Sequence, residues 1–246
     1  MNADHPAEDG RGLVPENVPW GVPAGLAAVG ATMLLPPVCG AFFGLATAGA
    51  LDRMLALCAI EMLMLAGVVA FVELRAKEGR TTAGLLGLVP FRRSRLGTMA
   101  KVLALGALAY GAAMLGLWGV LRCLGMEWGD MPLQPVARLI AETDSLPVLA
   151  AAFAVVAVAV PVTEEVIFRG LLYLPLRSEL GVRPAAVIVA VLFSAVHLYP
   201  WGALRLAVLS VVFVALFEVS GSLWPAIAAH GLYNGVCLVL LRLAAC

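Results

Sequence analysis

LPVLAAAFAVVAVAVPV, residues 146–162, carries no charged side chain and leads directly into TEEVIFRG, residues 163–170. A helix needs roughly 20 apolar residues to cross the hydrocarbon core of a bilayer. This run comes close to that length before it meets Glu164, Glu165 and Arg169. Outward from it, the chain repeats the pattern. Further apolar stretches cover about 20–51, 54–74, 97–121, 184–198, 204–217 and 223–241. The predicted fold is therefore all-α: a polytopic transmembrane helical bundle of about seven spans. Composition agrees, with 62% hydrophobic and 13% charged residues and a mean hydropathy of +0.98. A soluble domain has roughly 45–50% apolar and about 25% charged residues. The formal net charge is zero, so no basic footprint for nucleic acid is present.

Three regions are expected. Residues 1–19 are polar and rather acidic (Asp4, Glu8, Asp9 and Glu16 against Arg11) and are expected to form a disordered tail, not a cleaved signal segment. Residues 20–145 form an N-terminal transmembrane region. Residues 146–246 form the region with chemistry. In the first apolar stretch Pro36-Pro37 predicts a break or kink, and Gly40 with Gly44 offers a GxxxG contact. Cys39, Cys58 and Cys237 read as small buried hydrophobes, because no CxxC spacing occurs.

Charge sets the expected orientation. The segment after the second span holds Arg75, Lys77, Arg80, Arg92, Arg93 and Arg95, and by the positive-inside rule it is cytoplasmic. The segment from Arg122 to Asp144 is acidic on balance and fits the outside. Arg169, Arg177 and Arg183 fit the inside again. The expected setting is a bacterial-type inner membrane with the N-terminus cytoplasmic.

An ionisable group within a span is costly and marks function by default. Glu165 and Arg169 stand i,i+4 on a helix with the acid first, the favoured order for a pair. Glu164 then points about 100° away, without an obvious partner. It is either a general base or an acid marking the span end. His197, in FSAVH at 193–197, is either a packing residue or part of a site. His230 and Asn234 share a helix face, as two donors aimed at one point or as a polar pair joining helices. Apart from His5, these are the chain's only histidines.

Together, EExxxR at 164–169, FxxxH at 193–197 and HxxxN at 230–234 resemble the CPBP family of CAAX prenyl endopeptidases and bacteriocin-processing or immunity-type membrane proteins. The resemblance covers roughly 146–241 with all three motifs intact. It implies an intramembrane endopeptidase. Residues matching Glu164 and His197 activate water, those matching His230 and Asn234 stabilise the oxyanion, and Glu165 with Arg169 supports them. The implied partners are the lipid bilayer and a membrane-anchored or C-terminally processed protein or peptide substrate. No metal is favoured. A zinc ion would take Glu164, His197 and His230, leaving no free carboxylate as base and no task for Asn234. A non-catalytic immunity or scaffold protein of the same fold is the second reading. An ion-coupled transporter fits less well, since no internal repeat is seen.

Overall fold

The computed structural model describes residues 14–42, 44, 47–77, 79–127 and 131–245. Among them there is no strand. The helices are α1 (Val22–Phe42), α2 (Ala50–Arg75), the short α3 (Thr82–Leu86), α4 (Leu96–Cys123), the short α5 (Pro135–Glu142), α6 (Leu146–Leu180), α7 (Val182–Val196), α8 (Ala203–Ser220) and α9 (Trp224–Ala245). By length and apolarity, six described helices can cross a membrane: α1, α2, α4, α6, α8 and α9. The apolar α7 is shorter, at 15 residues, or about 22 Å. The chain is a multi-pass integral membrane protein.

Pro36 and Pro37 lie inside α1, which continues through them to Phe42. Of the break or kink expected there, the break is absent. The expected GxxxG contact is absent too, since a Cβ on Gly40 would meet nothing within 4 Å. The close approach of α1 occurs at Gly25, where a Cβ would lie 2.6 Å from the Leu172 Cα. Of the N-terminal segment, residues 1–13 lie outside the described residues. Residues 14–19 are not a free tail: Val14 is buried, and Arg80 donates to the backbone carbonyls of Glu16 and Asn17.

The largest departure from expectation is α6. The fourth span does not end at Val162; the helix runs on to Leu180. At about 52 Å it exceeds the roughly 30 Å of hydrocarbon thickness. Arg169 is thus no flanking loop residue but a fully buried one. Two stretches of α6, Val155–Ala159 and Val166–Tyr173, are wound as wider π turns. Such turns shift helix register and free backbone carbonyls, often at functional sites. The second stretch, buried throughout, forms the centre of the core together with Phe193, Phe217 and Leu223.

At the end of the bundle that holds the basic segment, loops lock together. Leu223 N–H donates to the Gly87 carbonyl, and the Ser222 hydroxyl to the Val89 carbonyl. There Glu218 accepts from Tyr173 Oη at 2.8 Å and Arg177 Nε at 2.7 Å.

Candidate active site

Adjacent residues on a helix diverge by about 100°, so α6 turns Glu165 inward and Glu164 toward a different space. The Glu165 side chain is fully buried. Its Oε1 accepts from Arg169 Nη1 at 3.0 Å and from His230 Nδ1 at 2.9 Å. Arg169 Nη2 donates to Ser210 Oγ at 2.7 Å and to the Ser210 carbonyl at 3.1 Å. The guanidinium also lies 4.8 Å from the Phe193 ring centroid and 5.4 Å from that of Phe213, within cation–π range. Phe213 stacks on the His230 ring at 4.9 Å. Three helices, α6, α8 and α9, are thus joined by one buried ionic network.

Glu164 stands beside that network. Its Oε1 lies 3.9 Å from His197 Nε2 and its Oε2 3.8 Å from His230 Nε2. Those separations exceed a direct hydrogen bond and suit one shared water. Glu164 Oε2 is buried without a hydrogen-bond partner.

The ring orientations follow from chemistry. His197 Nδ1 sits 2.6 Å from the Phe193 carbonyl, which can only accept, so Nδ1 carries the proton. In the neutral ring Nε2 is then an acceptor facing Glu164. His230 Nδ1 likewise donates to the Glu165 carboxylate. His197 caps the C-terminus of α7, and the next residue, Leu198, has a positive φ of 48°, turning the chain away directly after the histidine.

Asn234 lies one turn beyond His230 on α9, and its Nδ2 donates to the Val156 carbonyl at 2.9 Å. That carbonyl belongs to the first π turn of α6. The approach depends on Gly231, where a Cβ would come within 2.4 Å of the Ala157 oxygen. One amide hydrogen of Asn234 is therefore spent on anchoring α9 to α6.

The chain thus gathers Glu164, Glu165, Arg169, His197 and His230 into one cluster, with Asn234 at its edge. Two neighbours lay outside the sequence reading. Ser210 gave a signal only as a lone hydroxyl in an apolar span. Glu61 is brought by α2 to Thr163, which donates to its backbone carbonyl at 3.3 Å, and into electrostatic range of Glu164. An apolar cavity of about 440 Å³ lies between α1, α2 and α6, walled by Ala28, Ile60, Met64, Ile167 and Leu171; no side chain of the cluster lines it. Among the described residues no group of three His, Cys, Asp or Glu side chains is arranged to hold a metal ion. The spacing of Glu164 from the two histidines exceeds the roughly 3.3 Å edge of a tetrahedron with zinc-ligand bonds.

Residues 146–236 match the family model described as type II CAAX prenyl endopeptidase Rce1-like. The match begins at the first residue of α6 and ends within α9, and so spans all three motifs. No curated protein and no solved structure matches the chain.

Proposed function

From the match of its C-terminal helices to the CAAX prenyl endopeptidase family model, we propose that this protein hydrolyses a peptide bond of a membrane-associated substrate at the Glu164 cluster. The observation that carries the reading is the pairing pattern. Glu165 is committed to Arg169 and His230, while Glu164 faces two imidazole Nε2 atoms across gaps of 3.9 and 3.8 Å. In this reading a water in that space gives one proton to Glu164, while its other O–H donates a hydrogen bond to His197 Nε2 and stays on the oxygen. The water oxygen attacks the scissile carbonyl carbon. Glu164 then passes the proton to the departing amine as the C–N bond breaks, so the carboxylate is regenerated.

His230 and Asn234 are the oxyanion donors. Because His230 Nδ1 serves Glu165, Nε2 can donate only if the ring is the imidazolium. In this reading His230 takes that form, and with Glu164 and Glu165 ionised and Arg169 cationic these four groups sum to zero. After attack the negative charge has moved from Glu164 to the oxyanion and the sum is still zero. A low-dielectric site tolerates such a transfer well, because no net charge is created. The second N–H of Asn234 supplies the other donor. The substrate class that fits the family is a lipidated protein or peptide processed near its C-terminus. Metal takes no part in this scheme.

The test is product analysis by mass spectrometry with purified protein in lipid nanodiscs and a farnesylated peptide ending in a C-a-a-X sequence. Cleavage is expected, and Glu164→Gln is expected to reduce turnover by about 10²- to 10⁴-fold while the protein folds normally. Activity should survive a strong chelator, without stoichiometric zinc by elemental analysis. Normal turnover by Glu164→Gln removes the base assignment. Loss on chelation with recovery on zinc reverses the metal choice.

We further propose that the basic end of the bundle faces the cytoplasm of a bacterial-type inner membrane, on the strength of Arg75, Lys77, Arg80, Arg92, Arg93 and Arg95. A cysteine placed at Arg92 should label only from the cytoplasmic side. Labelling from outside alone would reverse the orientation.

A further inference from the structure

The cations of the C-terminal helices are mostly paired. Arg169 meets Glu165, Arg177 meets Glu218, and Arg242 meets Asp144. Arg205, in the first turns of α8, differs: among the described residues it has no carboxylate partner, and its Nε is buried without a hydrogen bond. An unpaired cation in a span is expensive, and a lone arginine near a helix end commonly extends to the lipid headgroups. Arg205 instead folds back. Its guanidinium carbon lies 5.5 Å from the Tyr199 ring centroid, and it is within electrostatic range of His197 and Tyr233.

The local fold is built for this position. Ser194 Oγ donates to the Ala203 carbonyl at 2.8 Å, tying α7 to the start of α8. At Gly202 a Cβ would lie 2.5 Å from the Tyr199 ring and 3.0 Å from Arg205 Nε. Only glycine lets Tyr199 and Arg205 close over that point. The result is a cation held within electrostatic range of His197. Along α8, Arg205 precedes Ser210, the anchor of Arg169, by five residues, or about 7.5 Å of helix rise.

We infer that Arg205 receives the free C-terminal carboxylate of the substrate. The inference rests on the hydrolysis reading, which places the scissile bond at Glu164. Three residues of extended peptide beyond that bond reach about 10 Å, and Arg205 stands within electrostatic range of His197, whose Nε2 faces Glu164. Guanidinium and carboxylate pair bidentately, and the pairing would neutralise both charges inside the bilayer. Arg205 thereby selects substrates cleaved within a few residues of their own C-terminus and disfavours internal sites.

The experiment separates this from hydrolysis itself. Full-length Glu164→Gln protein, in nanodiscs of zwitterionic lipid, is titrated with a farnesylated C-a-a-X hexapeptide as the free acid and as its C-terminal amide. The acid should bind about 10- to 100-fold tighter, the range for a hydrogen bond to a charged group. Adding Arg205→Gln should abolish the difference, and Arg205→Lys, a point charge without the fork, should restore part of it. Equal binding of acid and amide, no binding of either, or a loss in Arg205→Gln that is the same for both peptides overturns the assignment. The last result is expected if Arg205 serves a lipid phosphate or packing. A protein that prefers the acid but, with Glu164 intact, cleaves neither peptide refutes hydrolysis and leaves the Arg205 site standing.

Discussion

Helices α4 and α8 are packed against one another and are similar in apolarity, yet they serve different environments. Along its 28 residues α4 buries only Met99 and Leu121. Over 18 residues α8 buries Leu206, Ser210, Phe213, Val214, Leu216, Phe217 and Ser220. The contrast separates the two halves of the chain. In the N-terminal half the side chains of α4 face outward, with Leu105, Leu108 and Leu115 each 66–70% exposed, and lipid is their solvent. In the C-terminal half the helices enclose one another and a set of charges. Hydropathy cannot distinguish these cases, because lipid and protein core are equally apolar. What distinguishes them is the polar residue that demands a partner, such as Ser210 under Arg169.

The sharpest way to break the comparison is to strand a charge in the enclosed half. Arg169→Ala leaves Glu165 fully buried, with His230 as its remaining partner. Loss of one member of a buried pair typically costs about 3–5 kcal/mol, and that loss is expected here in reversible unfolding from mixed micelles. Replacing both residues by leucine should recover part of the stability and none of the activity, since His230 then loses the acceptor that orients it. If Arg169→Ala unfolds like the unsubstituted protein, the network is not what joins α6, α8 and α9.

An intermediate effect is expected where the halves of the site meet. Gly231→Ala would press a methyl group toward the Ala157 oxygen, 2.4 Å from its ideal position. Backbone must move, since no flexible side chain is there to yield. Overpacking of this kind costs about 1–3 kcal/mol. It should also lengthen the Asn234–Val156 hydrogen bond and lower kcat more than it changes KM. An unchanged kcat would separate the α6–α9 spacing from the chemistry.

That contact also marks the limit of what was legible in the sequence. The seven apolar stretches and the i,i+4 pair of Glu165 and Arg169 followed from spacing and hydropathy alone. The grouping of Glu164, His197 and His230 came from their motifs. The continuation of α6 past Glu164 was not legible, because two acids and an arginine look like the polar end of a span until their partners on α8 and α9 are known. The π turns leave no trace in residue spacing: an extra residue per turn costs local hydrogen bonds that distant groups, such as Asn234 on Val156, restore. Glu61 was visible as an acid in a span, but its neighbour Thr163 is 102 residues away.

The smallest effect should come from the exposed half, and it tests the premise of the contrast. Leu115 on α4 is 70% exposed. In water-soluble proteins, truncating a leucine costs stability because folding removes it from water. Here the unfolded reference in a micelle or bilayer still has α4 inserted, so Leu115 contacts lipid before and after the helices assemble. Transfer free energy then cancels, and little packing is lost because few protein atoms touch the side chain. Leu115→Ala should therefore change stability by no more than about 0.5 kcal/mol, the usual range for surface positions. The same truncation at Phe217, fully buried against Tyr173, should cost about 3–5 kcal/mol, because there the folded state alone supplies the neighbours. A loss above about 1 kcal/mol at Leu115 would mean that this face of α4 is covered by protein when the molecule is folded, and a second copy of the chain would be the first occupant to test by crosslinking.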